Sequence, residues 1–333
     1  MQVLITGATG FVGDHLMRYL VQKEPEWRFT ALYHSRMPKY QHANVSWQQV
    51  DLFDVVALDE LTDNIDLVFH CAAMVSFDLK KGKALISKNV IITRNLINAC
   101  LNKQIQKFVH FSSISALGRS TEKLESYLDE ESHWIEGKAN SNYAKSKYQA
   151  ELEVWRGMEE GLSTVILNPS VILGEDHWEH SSGKLVPIVF NEFPWFTEGV
   201  NAWVDIKDVV KIAHLLSISD IEGERFIVCE GNHSFKSIFS KFAIAMNRKP
   251  PHRKAHPWMI EILWRIKTLQ SRITNSEPTI TKETAKTATS KHYYSNNKLF
   301  TYLKNFTYTP IDDTITRIAI NYINHLHHSK NTL

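Results

Sequence analysis

Three glycines at positions 7, 10 and 13, in the run Thr6-Gly7-Ala8-Thr9-Gly10-Phe11-Val12-Gly13, constrain the fold of this chain more than any other feature. They lie between a short apolar β-type stretch, residues 2–6, and an amphipathic helical pattern, residues 12–22, so a glycine turn joins a strand to a helix. In that setting Gly7 allows the tight turn, and Gly10 lets backbone amides approach a phosphate with no Cβ in the way. Gly13 lets the helix pack closely on the strand. The helix N-terminus adds N–H donors and a partial positive charge. Such a unit is suited to the pyrophosphate of a nicotinamide dinucleotide, with Gly7, Thr9, Gly10, Phe11, Val12 and Gly13 as candidate contacts. The spacing is GxxGxxG, one residue longer in its first gap than GxGxxG.

The end of the second expected strand reads Ala31-Leu32-Tyr33-His34-Ser35-Arg36 and holds no carboxylate for the ribose hydroxyls of NAD. Arg36, helped by His34, is instead suited to a 2′-phosphate, because a planar guanidinium pairs well with phosphate oxygens. The expected cofactor is therefore NADP(H), with NAD(H) as the less favoured alternative. Asp51, followed by Leu52, is placed either to accept a hydrogen bond from adenine or to cap a strand end.

Through the first half of the chain, β-rich runs at 2–6, 29–34, 67–71, 107–112 and 164–168 alternate with helical patterns at 12–22, 83–102 and 142–157. This is the signature of βαβ units around a parallel sheet covered by helices on both faces. The expected fold is α/β, a doubly wound Rossmann-type parallel sheet with a smaller C-terminal substrate-binding lobe. Residues 1–170 form the dinucleotide-binding domain, to which 202–230 return as a helix (202–215) and a strand (225–229). Residues 171–201 and 231–333 form the lobe, which prolines break into short pieces.

A hydrophobic fraction of 43% and a net charge of +2 fit a globular enzyme and argue against a disordered chain or one that coats nucleic acid. Residues 251–333 carry 12 Lys+Arg against 5 Asp+Glu, a solvated basic face or an attraction for anions. Cys71, Cys100 and Cys229 form no CxxC, so neither a disulfide framework nor a thiolate metal site is indicated. The histidine pairs, His177 with His180 among them, lack a well-spaced third ligand, and no metal is expected. No secretory leader and no apolar run of ~20 residues is present, so a cytoplasmic protein without a transmembrane segment is expected. The apolar stretch 257–264 reads as a core or dimer helix, or as a lid over a lipophilic substrate.

Tyr143 and Lys147 stand at i and i+4, on one face of the third helical pattern. A lysine so placed lowers a phenol's pKa and can hold a ribose, which equips the tyrosine to pass a proton to or from a substrate oxygen. Tyr19–Lys23 and Tyr294–Lys298 share the spacing. Tyr143 is distinguished by Ser112-Ser113, which end a strand thirty residues upstream, at the sheet edge where ligands of open α/β folds bind.

With Val50-Asp51-Leu52, His70-Cys71-Ala72-Ala73, Asn89, Gly118, Asn168-Pro169-Ser170, Gly174 and the segment 204–209 added in order, the chain resembles the extended short-chain dehydrogenase/reductase superfamily, the NAD-dependent epimerase/dehydratase group. Its form of the segments at 73–77, 112–118 and 168–174 is nearest the dihydroflavonol-reductase-like and 3β-hydroxysteroid-dehydrogenase-like members. The resemblance implies a catalytic set of Ser113, Tyr143, Lys147 and Asn89. It also implies cofactor contacts from Cys71, Ala72 and Ala73 on the adenosine side and from Pro169 and Val171 at the nicotinamide carboxamide. Departures occur at Ile92 and Glu175, where glycine and proline are usual. The implied activity is NAD(P)-dependent carbonyl/alcohol oxidoreduction on a small molecule. A nucleotide-sugar epimerase or dehydratase holding NAD tightly, and a non-catalytic NAD(P) sensor, are the alternatives. A homodimer through the helices at 83–102 and 142–157 is also implied.

Overall fold

The structure, a computed structural model, describes residues 1–74, 82–117, 127–137, 140–179, 181–274 and 281–331. Residues 75–77, Gly118 and His180, all singled out above, lie outside the described residues.

The described strands are β1 (Gln2–Thr6), β2 (Arg28–Tyr33), β3 (Val45–Gln49), β4 (Leu67–His70), β5 (Lys107–Phe111), β6 (Thr164–Pro169), β7 (Val171–Leu173), β8 (Trp195–Phe196), β9 (Val200–Asp205), β10 (Glu224–Val228), β11 (Gly231–Ser234) and β12 (Arg253–Lys254). The helices are α1 (Phe11–Lys23), α2 (Val55–Leu61), α3 (Gly82–Asn102), α4 (Asn142–Glu159), α5 (Leu185–Phe190), α6 (Ile206–Ser217), α7 (Phe235–Ala245), α8 (Pro257–Thr274), α9 (Lys282–Thr289), α10 (Asn297–Tyr302) and α11 (Ile311–Asn331). They divide between two compact units, Met1–Arg119 with Ser132–Pro169 and Val209–Ile227, and Ser120–Glu131 with Ser170–Asp208 and Val228–Leu333.

In the first unit the strands run in the order β10-β6-β5-β4-β1-β2-β3. β1 pairs in parallel with β2 on one side and β4 on the other, so Leu4 lies between Thr30 and Val68. The chain thus builds outward from β1 through β2 and β3, then returns to β1's other flank at β4. That reversal opens a crevice at the carboxyl ends of β1 and β4, the place where open α/β sheets bind ligands. β1, β4, β5 and β6 are buried almost throughout because helices cover both faces. One core cluster joins Leu4, Val68, Phe108 and Ile166 of the sheet to Leu96 and Ile97 of α3 and Val154 of α4.

In the second unit β9 pairs in parallel with β7 and antiparallel with β11. Trp203 of β9 is fully buried, in a core that includes Ile238 and Phe242 of α7 and Ile315 and Ile318 of α11. The helix expected at 202–215 begins only at Ile206. Residues 202–205 belong to β9, and Asp205 closes the strand by accepting a hydrogen bond from the Lys207 amide (2.8 Å) and one from the Thr314 hydroxyl (2.8 Å). α8 does not place its whole apolar surface in a core, since Trp258, Ile262, Ile266 and Leu269 are exposed. No helix among the described residues is long and apolar enough to cross a membrane.

Candidate active site

The glycine turn closes as its spacing predicts. Gly7 adopts φ +65°, and a Cβ there would lie 2.7 Å from the Cα and N of Ala72, so both the backbone conformation and the neighbouring strand end exclude a side chain. A Cβ on Gly13 would lie 2.3 Å from the Gly7 carbonyl oxygen, which is how closely α1 packs on the turn. Gly10 occupies the N-cap position of α1 and offers no side chain to its first N–H groups. This edge, with amide donors at a helix start and backbone where side chains would intrude, fits a dinucleotide pyrophosphate.

The turn is knitted to the end of β4. The Cys71 amide donates to the Thr6 carbonyl (3.3 Å) and the Ala72 amide to Thr6 Oγ1 (3.2 Å). Thr6 Oγ1 is also 2.8 Å from His70 Nδ1, and His70 Nε2 is 3.0 Å from Thr93 Oγ1. Burial drives His70 down to about 3, with the Lys147 charge adding to the effect, so the ring is neutral and serves as a strut. Burial also pushes the Cys71 thiol well above its ordinary value, which suits a backbone contact and not a nucleophile. Cys71, Ala72 and Ala73 are half-buried along this rim.

Asn89, buried on α3, accepts from the Met74 amide (2.8 Å) and donates to the Met74 carbonyl (2.9 Å) and to Ser146 Oγ (2.7 Å). It therefore clamps the rim after β4 to α4.

α4 begins at a capped N-terminus, with Ser141 Oγ accepting from the Ala144 amide (2.9 Å). Ala144, Lys147, Glu151 and Val154 form its buried stripe, and Tyr143 is half-buried one turn before Lys147. Lys147 Nζ donates to the Phe111 carbonyl (3.0 Å), at the carboxyl end of β5. Burial lowers its value to about 8, opposed in part by its electrostatic interactions with Cys71 and Glu151. Ser113 follows two residues after Phe111 and leads into a 3-10 turn, Ile114–Leu117. Its Oγ accepts from the Ser115 amide (3.1 Å), and its carbonyl accepts from the Ala116 amide (2.9 Å) and from Asn168 Nδ2 (3.0 Å). Lys147 and the Ser113 turn therefore meet at one strand end. The competing pairs do not share it: Tyr19 and Lys23 lie on α1, and Tyr294 is buried just before α10, in the second unit.

His34 and Arg36 are exposed beyond β2, and the His34 carbonyl accepts from Gln49 Nε2 (2.9 Å). Asp51 accepts from the Phe53 amide (3.1 Å), a turn at the strand end, while Leu52 packs on the first unit's core. Pro169 is the buried last residue of β6, and Val171, half-buried, opens β7 in the other unit.

Two groups escaped the motif reading. Glu151, on α4, is buried and contacts Ser112, Asn168 and Arg225. Its signal was present as an acid one helical turn after Lys147 on the buried face. Thr6 and His70 form a second buried link that spacing does not reveal.

Sheet order, glycine turn and strand-end cluster define a doubly wound α/β protein of the dinucleotide-binding class. Residues 3–229 match the family described as NAD dependent epimerase/dehydratase, and the chain belongs to that family. A Synechocystis sp. protein carrying a provisional dihydroflavonol 4-reductase name is 27% identical over 309 residues, covering 88% of this chain and 87% of that protein. Cinnamoyl-CoA reductase 1 of Petunia hybrida is 26% identical over 242 residues, 68% of this chain and 72% of that enzyme. Among solved structures, gox2253 superposes with a TM-score of 0.80 at 25% identity, covering 97% of this chain and 98% of that one. The Thermotoga maritima UDP-glucose 4-epimerase, solved with UDP-glucose, shares the fold with a TM-score of 0.78 at 16% identity, over 98% and 100% of the two chains.

Proposed function

We propose that this protein is an NADP(H)-preferring carbonyl/alcohol oxidoreductase acting on a small molecule. The bound nicotinamide supplies or accepts the hydride. Tyr143 moves the proton to or from the substrate oxygen, Ser113 donates a hydrogen bond to that oxygen, and Lys147 lowers the phenol's pKa and binds ribose. Asn89 holds α4 against the rim after β4. Gly7, Thr9, Gly10, Phe11, Val12 and Gly13 hold the pyrophosphate; Asp51, Leu52, Cys71, Ala72 and Ala73 line the adenosine side. Pro169 and Val171 meet the carboxamide, and Arg36 with His34 selects the 2′-phosphate.

The observation that carries the reading is the Lys147 Nζ to Phe111 carbonyl hydrogen bond of 3.0 Å, which brings the Tyr143 helix to the strand end that leads into Ser113. The reductase names of curated relatives over two thirds or more of this chain support the reaction type. α3 and α4 are proposed to pair with a second copy through the face holding Ile86, Val90 and Ile91.

Purified protein assayed for NADPH oxidation against a panel of aldehydes and ketones tests the proposal. Consumption of NADPH with at least one carbonyl supports it. Bound NAD carried through purification, with turnover of a nucleotide sugar and no consumption of added cofactor, overturns it in favour of an epimerase or dehydratase.

A further inference from the structure

One buried charge sits at the centre of the strand-end cluster and is assigned no part in it so far. Glu151 is 1% exposed. Its Oε2 accepts from the Ser112 hydroxyl (2.6 Å) and from Asn168 Nδ2 (2.9 Å), and its Oε1 accepts from Arg225 Nη1 (3.1 Å). The same Asn168 amide nitrogen donates to the Ser113 carbonyl (3.0 Å). Four segments that are distant in sequence (the end of β5, α4, the end of β6 and β10) therefore converge on one carboxylate. A buried carboxylate without partners is costly, and here each oxygen is engaged. The partners it has chosen are the residue before Ser113, the amide that holds Ser113's own carbonyl, and a guanidinium.

Glu151 also lies one helical turn beyond Lys147, on the same buried stripe of α4. The titratable groups in electrostatic contact with Lys147 are Cys71 at the end of β4 and Glu151 on its own helix, which act on it, and His70 of β4 and His110 of β5, which feel its charge. His70 and His110 are held neutral by burial and Cys71 is held as the thiol. Among these described neighbours, Glu151 is left as the group able to supply a compensating negative charge.

We propose that Glu151 is a positioning residue of the Ser113–Tyr143–Lys147 site, in which one carboxylate fixes the turn that presents Ser113 and serves as counter-charge to Lys147. The two roles are separable. Ser112→Ala deletes the link to the turn and keeps the charge. Glu151→Gln keeps an acceptor for Ser112 and deletes the charge, and pairing it with Arg225→Gln removes the guanidinium that has lost its counter-charge. The effect on turnover rests on the oxidoreductase reading above; the effect on Lys147 does not.

The experiment has two arms. In isotopically labelled, cofactor-free protein, the lysine ε-methylene NMR signal of Lys147, assigned by its loss in Lys147→Met, is titrated in the wild type, Glu151→Gln/Arg225→Gln and Ser112→Ala. The expected result is a midpoint at least half a pH unit lower in the double variant and unchanged in Ser112→Ala, about the shift a lost charge one helical turn away produces. An unmoved midpoint in a double variant that melts cooperatively overturns the counter-charge role, whether or not the protein is a reductase. In the turnover arm, Ser112→Ala lowers kcat about tenfold or more with the cofactor's Kd unchanged, as loss of a hydrogen bond to a charged group predicts. Glu151→Asp restores part of what Glu151→Gln loses. Wild-type kcat in Ser112→Ala overturns the turn-fixing role. If the double variant does not fold, Ser112→Ala still decides the turn-fixing role by its kcat, and the single Glu151→Gln decides the counter-charge role: an unmoved Lys147 midpoint in it overturns that role.

Discussion

Lys147 Nζ and the carbonyl oxygen of Phe111 are 3.0 Å apart, so a charged side chain on α4 is anchored to the backbone at the end of β5. This contact places the Tyr143–Lys147 face of the helix relative to Ser113, and it puts an ammonium in a buried position. Burial is the larger influence, lowering Lys147 from its ordinary 10.5 to about 8.

A pH dependence of stability follows. Between about 8 and 10.5 the unfolded chain binds this proton and the folded chain does not, so the folded state gains stability as pH rises through that window. Below about 8 both states carry the charge and the full cost of burying it is present. Chemical denaturation of the wild type and Lys147→Met should show the variant's relative advantage shrinking across this window. A difference that stays flat contradicts the assignment. Turnover that needs the ammonium should fall as pH rises past about 8 in the cofactor-free enzyme's kcat/KM profile.

Gly13→Ala forces a Cβ to within 2.3 Å of the Gly7 carbonyl, backbone that cannot rotate away. α1 must move off the turn, at a cost of roughly 1–3 kcal/mol as for other overpacked sites. Because the same turn holds the pyrophosphate in this account, the variant should both melt earlier and bind NADPH weakly. A thermal melt and a fluorescence titration check both, and unaltered NADPH affinity contradicts the role given to the turn.

Arg36→Ala tests cofactor choice. Loss of a guanidinium–phosphate contact, about 1.5–3 kcal/mol, lowers affinity roughly 10- to 100-fold. The loss should fall on NADPH and spare NADH. Wild-type protein that binds NAD tenfold more tightly than NADP contradicts the reading of Arg36.

Much of this architecture is legible in the chain. The strands read at 2–6, 107–112 and 164–168 and the helices read from 12, 83 and 142 follow from apolar periodicity and Gly spacing and lie within a residue of the observed starts and ends of those strands and of the observed helix starts. β3 escaped because Val45-Ser-Trp-Gln-Gln49 is a largely exposed edge strand with little apolar pattern. Residues 202–205 were misread because a short apolar run leading into a helix has no period of its own, and one of the Asp205 bonds that end β9, from Thr314, comes from far along the chain. The same limit applies at the site. Tyr143 and Lys147 are a local spacing and can be read. The convergence of Ser112, Asn168 and Arg225 on Glu151 joins residues 39, 17 and 74 positions from it, and only the folded sheet brings them together.

The proposed role of Tyr143 as the proton-transfer group of an NADP(H)-dependent oxidoreductase is tested by steady-state NADPH oxidation with Tyr143→Phe and the best carbonyl from the substrate panel. The expected result is a fall in kcat of roughly 10²- to 10⁴-fold, as for other lost general acids, with the NADPH Kd within about twofold of wild type. Turnover within about tenfold of wild type would contradict it and remove Tyr143 from the chemistry.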